Sequence, residues 1–356
     1  MDLVQAFFIE SSCNEYSPIV LFMLVIRPKK IILANPRGFC AGVDRAIEIV
    51  DIALKLYPAP IYVRHEIVHN HHVVNDFKNR GVIFIEELDE VPDSAKLIFS
   101  AHGTDPAVIE KAKARGISFI DAVCPLVTKV HKEILKAVSL NKKIIYVGHR
   151  GHQEVVGAMG YAKENIFLVE DLLDIEELKS LIKKDEELIL ATQTTLSLDD
   201  TKALVNALQI HFTKIEFPKA DDICYATQNR QDAVKELIRH CDHLLVIGSK
   251  NSSNTLRLVE LAQKHSIPAN LVSDPDQFDL EVMIPDLENK VIGISSGASA
   301  PERLIDILVS KLLGDPLYQN SRDFSNSDYA KNSLVEILSV IEEKTYFKLP
   351  ADLQAN

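Results

Sequence analysis

The chain has 356 residues, 47% of them hydrophobic and 25% charged, and a formal net charge of −12. That is the composition of an ordinary globular protein, and its acidic balance argues against a nucleic-acid-binding surface. Five cysteines in this length do not make a disulfide scaffold, and the apolar run Ile19 to Ile26 falls far short of the ~18 residues that a bilayer span needs.

Residues 1–27 read as an N-terminal extension. No Lys or Arg precedes Arg27, so a signal peptide would lack its basic n-region, and Met23 is an alternative start. The first regular strand is expected near Lys30. Asn35-Pro36-Arg37-Gly38-Phe39-Cys40 then closes a loop, and a helix-patterned run follows from Ala41 to Leu56. A β-branched run (Pro60 to Val63) leads into the polar loop His65 to His72. Two more runs follow, Val82 to Ile85 and Leu97 to Phe99, the second ending in Ser100-Ala101-His102-Gly103.

The same succession then recurs twice. Cys124, in Asp121-Ala122-Val123-Cys124-Pro125, opens the helical run Pro125 to Leu140, with Pro125 suited to a first helical position. Lys143 to Val147 leads into Gly148 to Glu154, and Leu188 to Ala191 into Thr192-Gln193-Thr194-Thr195. Cys224 opens Tyr225 to Ile238, His243 to Ile247 leads into Gly248 to Asn254, and Lys290 to Ile294 into Ser295-Ser296-Gly297-Ala298-Ser299. A loop polar residue lies 29, 28 and 28 residues after the three cysteines: His69, His152 and Ser252. Alternating strands and helices with short loops predict parallel α/β sheets, whose ligands collect beyond the carboxyl ends of the strands. The predicted fold is therefore three similar small α/β modules of roughly 90 residues with pseudo-threefold symmetry. Their bounds are 41–123, 124–222, and 223–314 together with 28–40. Residues 315–356 form a tail, expected to hold a helix (Ser333 to Glu343) and a short strand (Thr345 to Leu349) and to pack back on the body.

Two motif matches fail on context. His65-Glu66-Ile67-Val68-His69 fits a zinc-protease pattern that needs a helix, but it follows a strand. Gly293-Ile294-Ser295-Ser296-Gly297 fits a nucleophile elbow, whose histidine must come later in the chain, yet the last histidine is His265. The three repeated cysteines are better candidates. Thiolates bind metals, helix N-termini favour thiolates, and three modules each offering one leave a coordination position for a substrate. Spacings of 84 and 100 residues exclude close Cys pairs, so the site is assembled from separate modules. Cys13 and Cys241 stand outside the repeat. Neutral donors in the loops suit phosphate oxygens, and Glu154, two residues after His152, is a natural general acid beside a metal.

Long segments of the chain resemble one family. They include Ala34-Asn35-Pro36-Arg37-Gly38-Phe39-Cys40-Ala41-Gly42-Val43-Asp44-Arg45-Ala46, Asp121-Ala122-Val123-Cys124-Pro125-Leu126-Val127-Thr128-Lys129-Val130-His131, Gly148-His149-Arg150-Gly151-His152-Gln153-Glu154 and Gly248-Ser249-Lys250-Asn251-Ser252-Ser253-Asn254. The chain is similar to the 4-hydroxy-3-methylbut-2-enyl diphosphate reductases (LytB or IspH) over about residues 30–312, with an echo in Glu343-Lys344-Thr345-Tyr346-Phe347. The resemblance implies a trefoil around a [4Fe-4S] cluster held by Cys40, Cys124 and Cys224. The fourth iron would then be open to the hydroxyl of an allylic diphosphate. It implies Glu154 as proton donor, supported by Thr194. It implies His69, His102, Ser252, Ser253, Asn254 and Ser299 as the diphosphate pocket, with His152 between diphosphate and hydroxyl. It also implies a ferredoxin or flavodoxin electron donor, a cytoplasmic setting and no membrane or nucleic-acid partner. Three other readings stay open on the residues alone: a cluster-dependent hydratase, a non-catalytic metal sensor and a zinc hydrolase built on His65 and His69.

Overall fold

The computed structural model describes residues 26–218, 221–314 and 332–354. Most of the expected extension, Cys13 and the first part of the expected tail lie outside these residues.

Three parallel sheets organise the chain. The first holds β2 (Ile61–Arg64), β3 (Val82–Ile85), β4 (Lys96–Phe99) and β5 (Ser118–Asp121) in the order β3-β2-β4-β5. The second holds β6 (Lys143–Val147), β7 (Ile166–Val169), β8 (Leu188–Thr192) and β9 (Ile215–Glu216) in the order β7-β6-β8-β9. The third repeats this order with a strand borrowed from the start of the chain. It runs β11 (Ala269–Val272), β10 (His243–Ile247), β12 (Val291–Ser296), β1 (Lys30–Asn35), and β13 (Val335–Ser339) is added beyond β1. The α/β class and the three similar modules expected from the repeat are thus the architecture of the molecule.

Helices cover both faces of each sheet, which is why the central strands are apolar throughout rather than alternating. All five residues of β10 are buried. The period of two still operates, because it chooses the face. Ile31, Leu33, Leu245 and Ile247 pack on α11 (Glu302–Leu313). Ile32, Ala34, Leu244 and Val246 pack on α8 (Tyr225–Leu237) and α9 (Ser253–Lys264).

The connections decide where the cysteines go. The helix α1 (Ala41–Leu56) follows β1 of the third sheet, yet Ala46, Ile49, Val50 and Ala53 pack with Ile61, Val63 and Ile98 of the first. The helix α4 (Pro125–Ser139) follows β5 and packs on the second sheet through Val130, Ile134 and Ala137. Helix α8 follows β9 and packs on the third through Ala233, Val234 and Leu237. Each cysteine therefore stands where the chain leaves one sheet to cover the next.

The tail departs from expectation. Residues around Ser333 to Glu343 are not a helix: β13 pairs in parallel with β1 from Ile31↔Val335 to Asn35↔Ser339. Val335, Ile337 and Val340 favour extended backbone, and β1 would otherwise leave its ladder groups unpaired at the sheet edge. The strand expected at Thr345 to Leu349 pairs with nothing in a ladder. It leads to a short final helix whose Leu353 is buried in the core of the first sheet.

Candidate active site

Cys40, Cys124 and Cys224 are the N-cap residues of α1, α4 and α8, each with extended backbone. The three are held alike. Their backbone N–H groups donate to Ala298 O (3.1 Å), Ala101 O (2.9 Å) and Thr194 O (3.0 Å). Each acceptor lies two residues past the end of its strand: β12, β4 and β8. The threefold repeat read from sequence is thus present at the level of single hydrogen bonds.

The thiols lie deep in the protein yet keep some accessible surface. Burial raises the Cys40 thiol, pushes Cys124 up to about 12 and pushes Cys224 up to about 11, and the proximity of Cys40 adds to the last two. Backbone amides at the helix starts pull the other way, but burial wins. Such thiols give up their protons when a cation compensates the charge. Gly42 keeps space open beside these thiols: a Cβ on it would stand 2.7 Å from Cys124 Sγ and 3.9 Å from Cys40 Sγ.

Among the described residues no three His, Cys, Asp or Glu side chains converge closely enough for one metal ion. A polynuclear cluster asks for a different arrangement. Each thiolate takes its own iron, so the sulfurs stand apart around a void. The cysteine set fits that requirement. The zinc alternative does not survive: residues 65–70 are not helical, His65 has φ 59° and bonds Glu86 (2.6 Å), and His69 turns towards His102. Ser295 and Ser296 end a buried strand, with Ser296 Oγ accepting from Gly38 N–H (2.8 Å), which is no nucleophile elbow.

Glu154 sits in the first turn of α5 (Gln153–Gly160) and is 3% exposed. Its two oxygens accept from Thr194 N–H (2.7 Å) and Thr194 Oγ1–H (3.1 Å). Burial pushes its carboxyl up to about 7, helped by the Asp222 charge and opposed by the two Thr194 bonds. His152 caps the same helix, its Nδ1 accepting from Glu154 N–H (3.2 Å). Helix α5 can lie against the loop after β4 because Gly157 is bare: a Cβ there would stand 3.2–3.3 Å from the backbone of Gly103 and Thr104. The close approach brings His102 to the Glu154 helix.

The three histidines form one group. His69 stacks on His102 at 3.9 Å, and His152 stands edge-on, 5.4 Å from His69 and 6.1 Å from His102. Burial, reinforced by neighbouring histidines, holds His102 well below the usual range and His152 down at about 3. His102 and His152 are therefore neutral donors or acceptors, and buried His69 Nε2 has no hydrogen-bond partner. Ser299 Oγ donates to His69 O (2.9 Å). Ser252 caps α9, Ser253 Oγ donates to Thr195 O (3.0 Å), and Asn254 joins Thr227 (3.3 Å) to Ala298 N–H (3.0 Å). The residues singled out from sequence thus stand on loops beyond strands β2, β4, β6, β8, β10 and β12, linked by these contacts.

Sequence reasoning missed several members. Thr227 Oγ1 lies 3.2 Å from Cys224 Sγ, and its signal was its place one turn into a cysteine-capped helix. Glu66 accepts from Asn251 (2.7 Å) and faces His69 Nδ1 (3.4 Å), tying the first and third modules. Asp222 accepts from Thr192 N–H (3.0 Å) and Lys129 (3.4 Å). A surface cleft of about 440 Å³ lined by Asp199, Lys235 and His265 holds none of these residues.

The chain matches the LytB protein family over residues 31–313. It belongs to that family. A reductase of Actinobacillus succinogenes named for 4-hydroxy-3-methylbut-2-enyl diphosphate is 49% identical over 333 residues, covering 92% of this chain and 99% of that protein. Its counterpart in Glaesserella parasuis is 50% identical over 331 residues, covering 91% and 98%. The solved E-1-hydroxy-2-methyl-but-2-enyl-4-diphosphate reductase of Plasmodium falciparum superposes with a TM-score of 0.82 at 38% identity, covering 92% of this chain and 97% of that one. A second solved structure, of the terminal enzyme of the non-mevalonate pathway, gives 0.58 at 30% identity over 80% of this chain and 99% of that one. No helix among the described residues is long and apolar enough to cross a membrane.

Proposed function

We propose that this LytB-family chain is an oxidoreductase that removes the hydroxyl of 4-hydroxy-3-methylbut-2-enyl diphosphate. The products are isopentenyl and dimethylallyl diphosphates, at the last step of the methylerythritol phosphate route to isoprenoids. Family membership and the named relatives support the reaction. One juxtaposition in this chain supports the assignment of residues: a buried carboxyl, Glu154, lies within electrostatic reach of the Cys224 thiol and on the same helix start as neutral His152.

Cys40, Cys124 and Cys224 would hold a [4Fe-4S] cluster, the remaining described cysteine, Cys241, being buried in the core of the third sheet. When bound, such a cluster supplies electrons one at a time and, at an iron without a protein ligand, Lewis acidity towards a C–O bond. The chain's own residues do the rest. Two electrons and two protons convert the allylic alcohol to an alkene and water, and Glu154, holding its proton up to about pH 7, delivers one proton to the departing oxygen. Thr194 fixes both carboxyl oxygens and so aims the proton. His69 Nε2, His102, Ser252, Ser253, Asn254 and Ser299 bind the diphosphate, with the N-terminus of α9 aimed at the anion. His152 bridges the diphosphate and hydroxyl ends. We assign electron supply to a ferredoxin or flavodoxin, the place of action to the cytoplasm, and the modules to 41–123, 124–222 and 223–314 with 28–40.

The test is anaerobic reconstitution followed by iron and sulfide counts and turnover with and without a low-potential reductant. About four iron and four sulfide per chain, with hydroxyl loss only under reduction, is the expected result. One zinc per chain would overturn the site, and reductant-independent addition of water would make the enzyme a hydratase.

A further inference from the structure

The segment that follows β13 does more than end the chain. Residues 340–350 run without ladder pairing from the edge of the third sheet to the core of the first, where Leu349 packs and Leu353 is 3% exposed. Between these anchors three residues of the segment, Glu343, Thr345 and Lys348, hold partners that each lead to the approach of a different cysteine. Glu343 pairs with the fully buried Arg230 at 3.1 Å, and Arg230 Nη2 donates to Gly38 O (2.9 Å), two residues before Cys40. The Thr345 side chain hydrogen-bonds the Tyr225 hydroxyl, and Tyr225 directly follows Cys224. Lys348 O accepts from Arg45 Nε (2.8 Å), while Arg45 Nη1 donates to Val123 O (3.0 Å) and Ala122 O (3.3 Å), immediately before Cys124. One short stretch therefore reaches the approach to each thiol, that of Cys224 directly and those of Cys40 and Cys124 through Arg230 and Arg45.

A tether whose only task was to fix the C-terminus would need one anchor in one module. This one engages the approach to every cysteine and buries an arginine to do so, an arrangement that is costly unless the ion pair is kept. We propose that residues 340–350 form a strap that closes the thiol chamber against solvent and small oxidants and opens by local release of its three ties. The strap rests on the geometry of the chain alone. Its protective value for an iron–sulfur centre rests on the function proposed above.

The test uses thiol reactivity first, because that needs no cluster. The metal-free full chain is treated with iodoacetamide and the modification of each cysteine is followed by mass spectrometry. Thr345→Val removes one tie without changing shape, and Glu343→Gln weakens the charged one. Together they should speed modification of Cys40, Cys124 and Cys224 roughly tenfold, as expected for losing hydrogen bonds that include a charged partner, while Cys241 keeps its rate. Leu353→Ala, remote from the thiols, should accelerate the same three by freeing the strap's far anchor. In the reconstituted holoenzyme the same variants should release iron to a chelator faster in air. Unchanged rates at the three cysteines, or equal acceleration at Cys241, would overturn the strap. If the wild-type chain takes up no iron while the variants show the selective thiol effect, the cluster reading is overturned and the strap stands.

Discussion

Thr194 grips Glu154 at both carboxyl oxygens, with its amide at 2.7 Å from one and its hydroxyl at 3.1 Å from the other. The two bonds favour the ionised form and partly offset the burial that keeps the proton on. Thr194→Val keeps the amide bond and deletes the hydroxyl. Without it the carboxyl should hold its proton to higher pH, so the alkaline fall of the rate moves upward. Looser aim of the acid should cost roughly tenfold in turnover, the scale of one hydrogen bond to a charged group. A pH–rate profile checks both, and an unmoved alkaline limb would mean that the hydroxyl does not touch the working proton.

Glu154→Gln keeps size and hydrogen bonding but has no proton to give. General acid catalysis is worth ~10²–10⁴-fold, and turnover should fall by that factor with iron content and substrate affinity largely kept. Wild-type activity should decline as pH rises through about 7, where Glu154 ionises. The variant's small residual rate should lack that decline. If iron content and affinity fell together with the rate, Glu154 would be an anchor for its loop rather than an acid.

Gly42 lies where the proposed cluster site has no room for a side chain. A methyl group at that position would press on Cys124 Sγ at 2.7 Å, whereas the backbone there is ordinary first-turn helix that alanine adopts without penalty. Gly42→Ala should therefore fold when metal-free, with a melting temperature close to wild type, and yet bind markedly less iron and sulfide per chain. Replacing Cys40, Cys124 or Cys224 by serine should also remove the cluster, and Cys241→Ser should not. Full iron content in Gly42→Ala would show that the centre lies elsewhere.

The sequence made the cysteines, three strands of each module and the loops legible because each left a periodic mark three times over, whereas the order of those strands and the edge strands β5 and β9 left none. Three loop residues stand out for the same reason: His69, His152 and Ser252 fall at nearly equal distances from their cysteines. What was not legible occurs once. Glu66 meets Asn251 across 185 residues, and no local pattern encodes that meeting. The tail misled because Leu334, Leu338 and Ile341 also fit a helical face, and only the open edge of β1 selects the strand. The thiol acidity expected at helix starts was overridden by depth, a property of the assembled modules rather than of any one of them.

His152 links the site to acid stability. Its Nδ1 accepts from Glu154 N–H at 3.2 Å, so the ring must be neutral at that nitrogen to cap α5. Burial and the nearby His69 and His149 hold its proton off until about pH 3. The unfolded chain takes that proton near the ordinary histidine value. The unfolded state thus binds more protons between the two values, and the stability present above pH 6.5 is lost as pH falls towards 3. At pH 5 this one group should cost up to about 2 kcal/mol relative to neutral pH. Asparagine is as good an N-cap and does not titrate. His152→Asn in the metal-free protein should therefore lose less stability than wild type on going from pH 7 to pH 5, by denaturant unfolding at each pH. Parallel pH dependences would show that His152 takes its proton as readily in the folded chain as in the unfolded one, so that it is mostly charged at pH 5 and cannot then cap α5 through Nδ1.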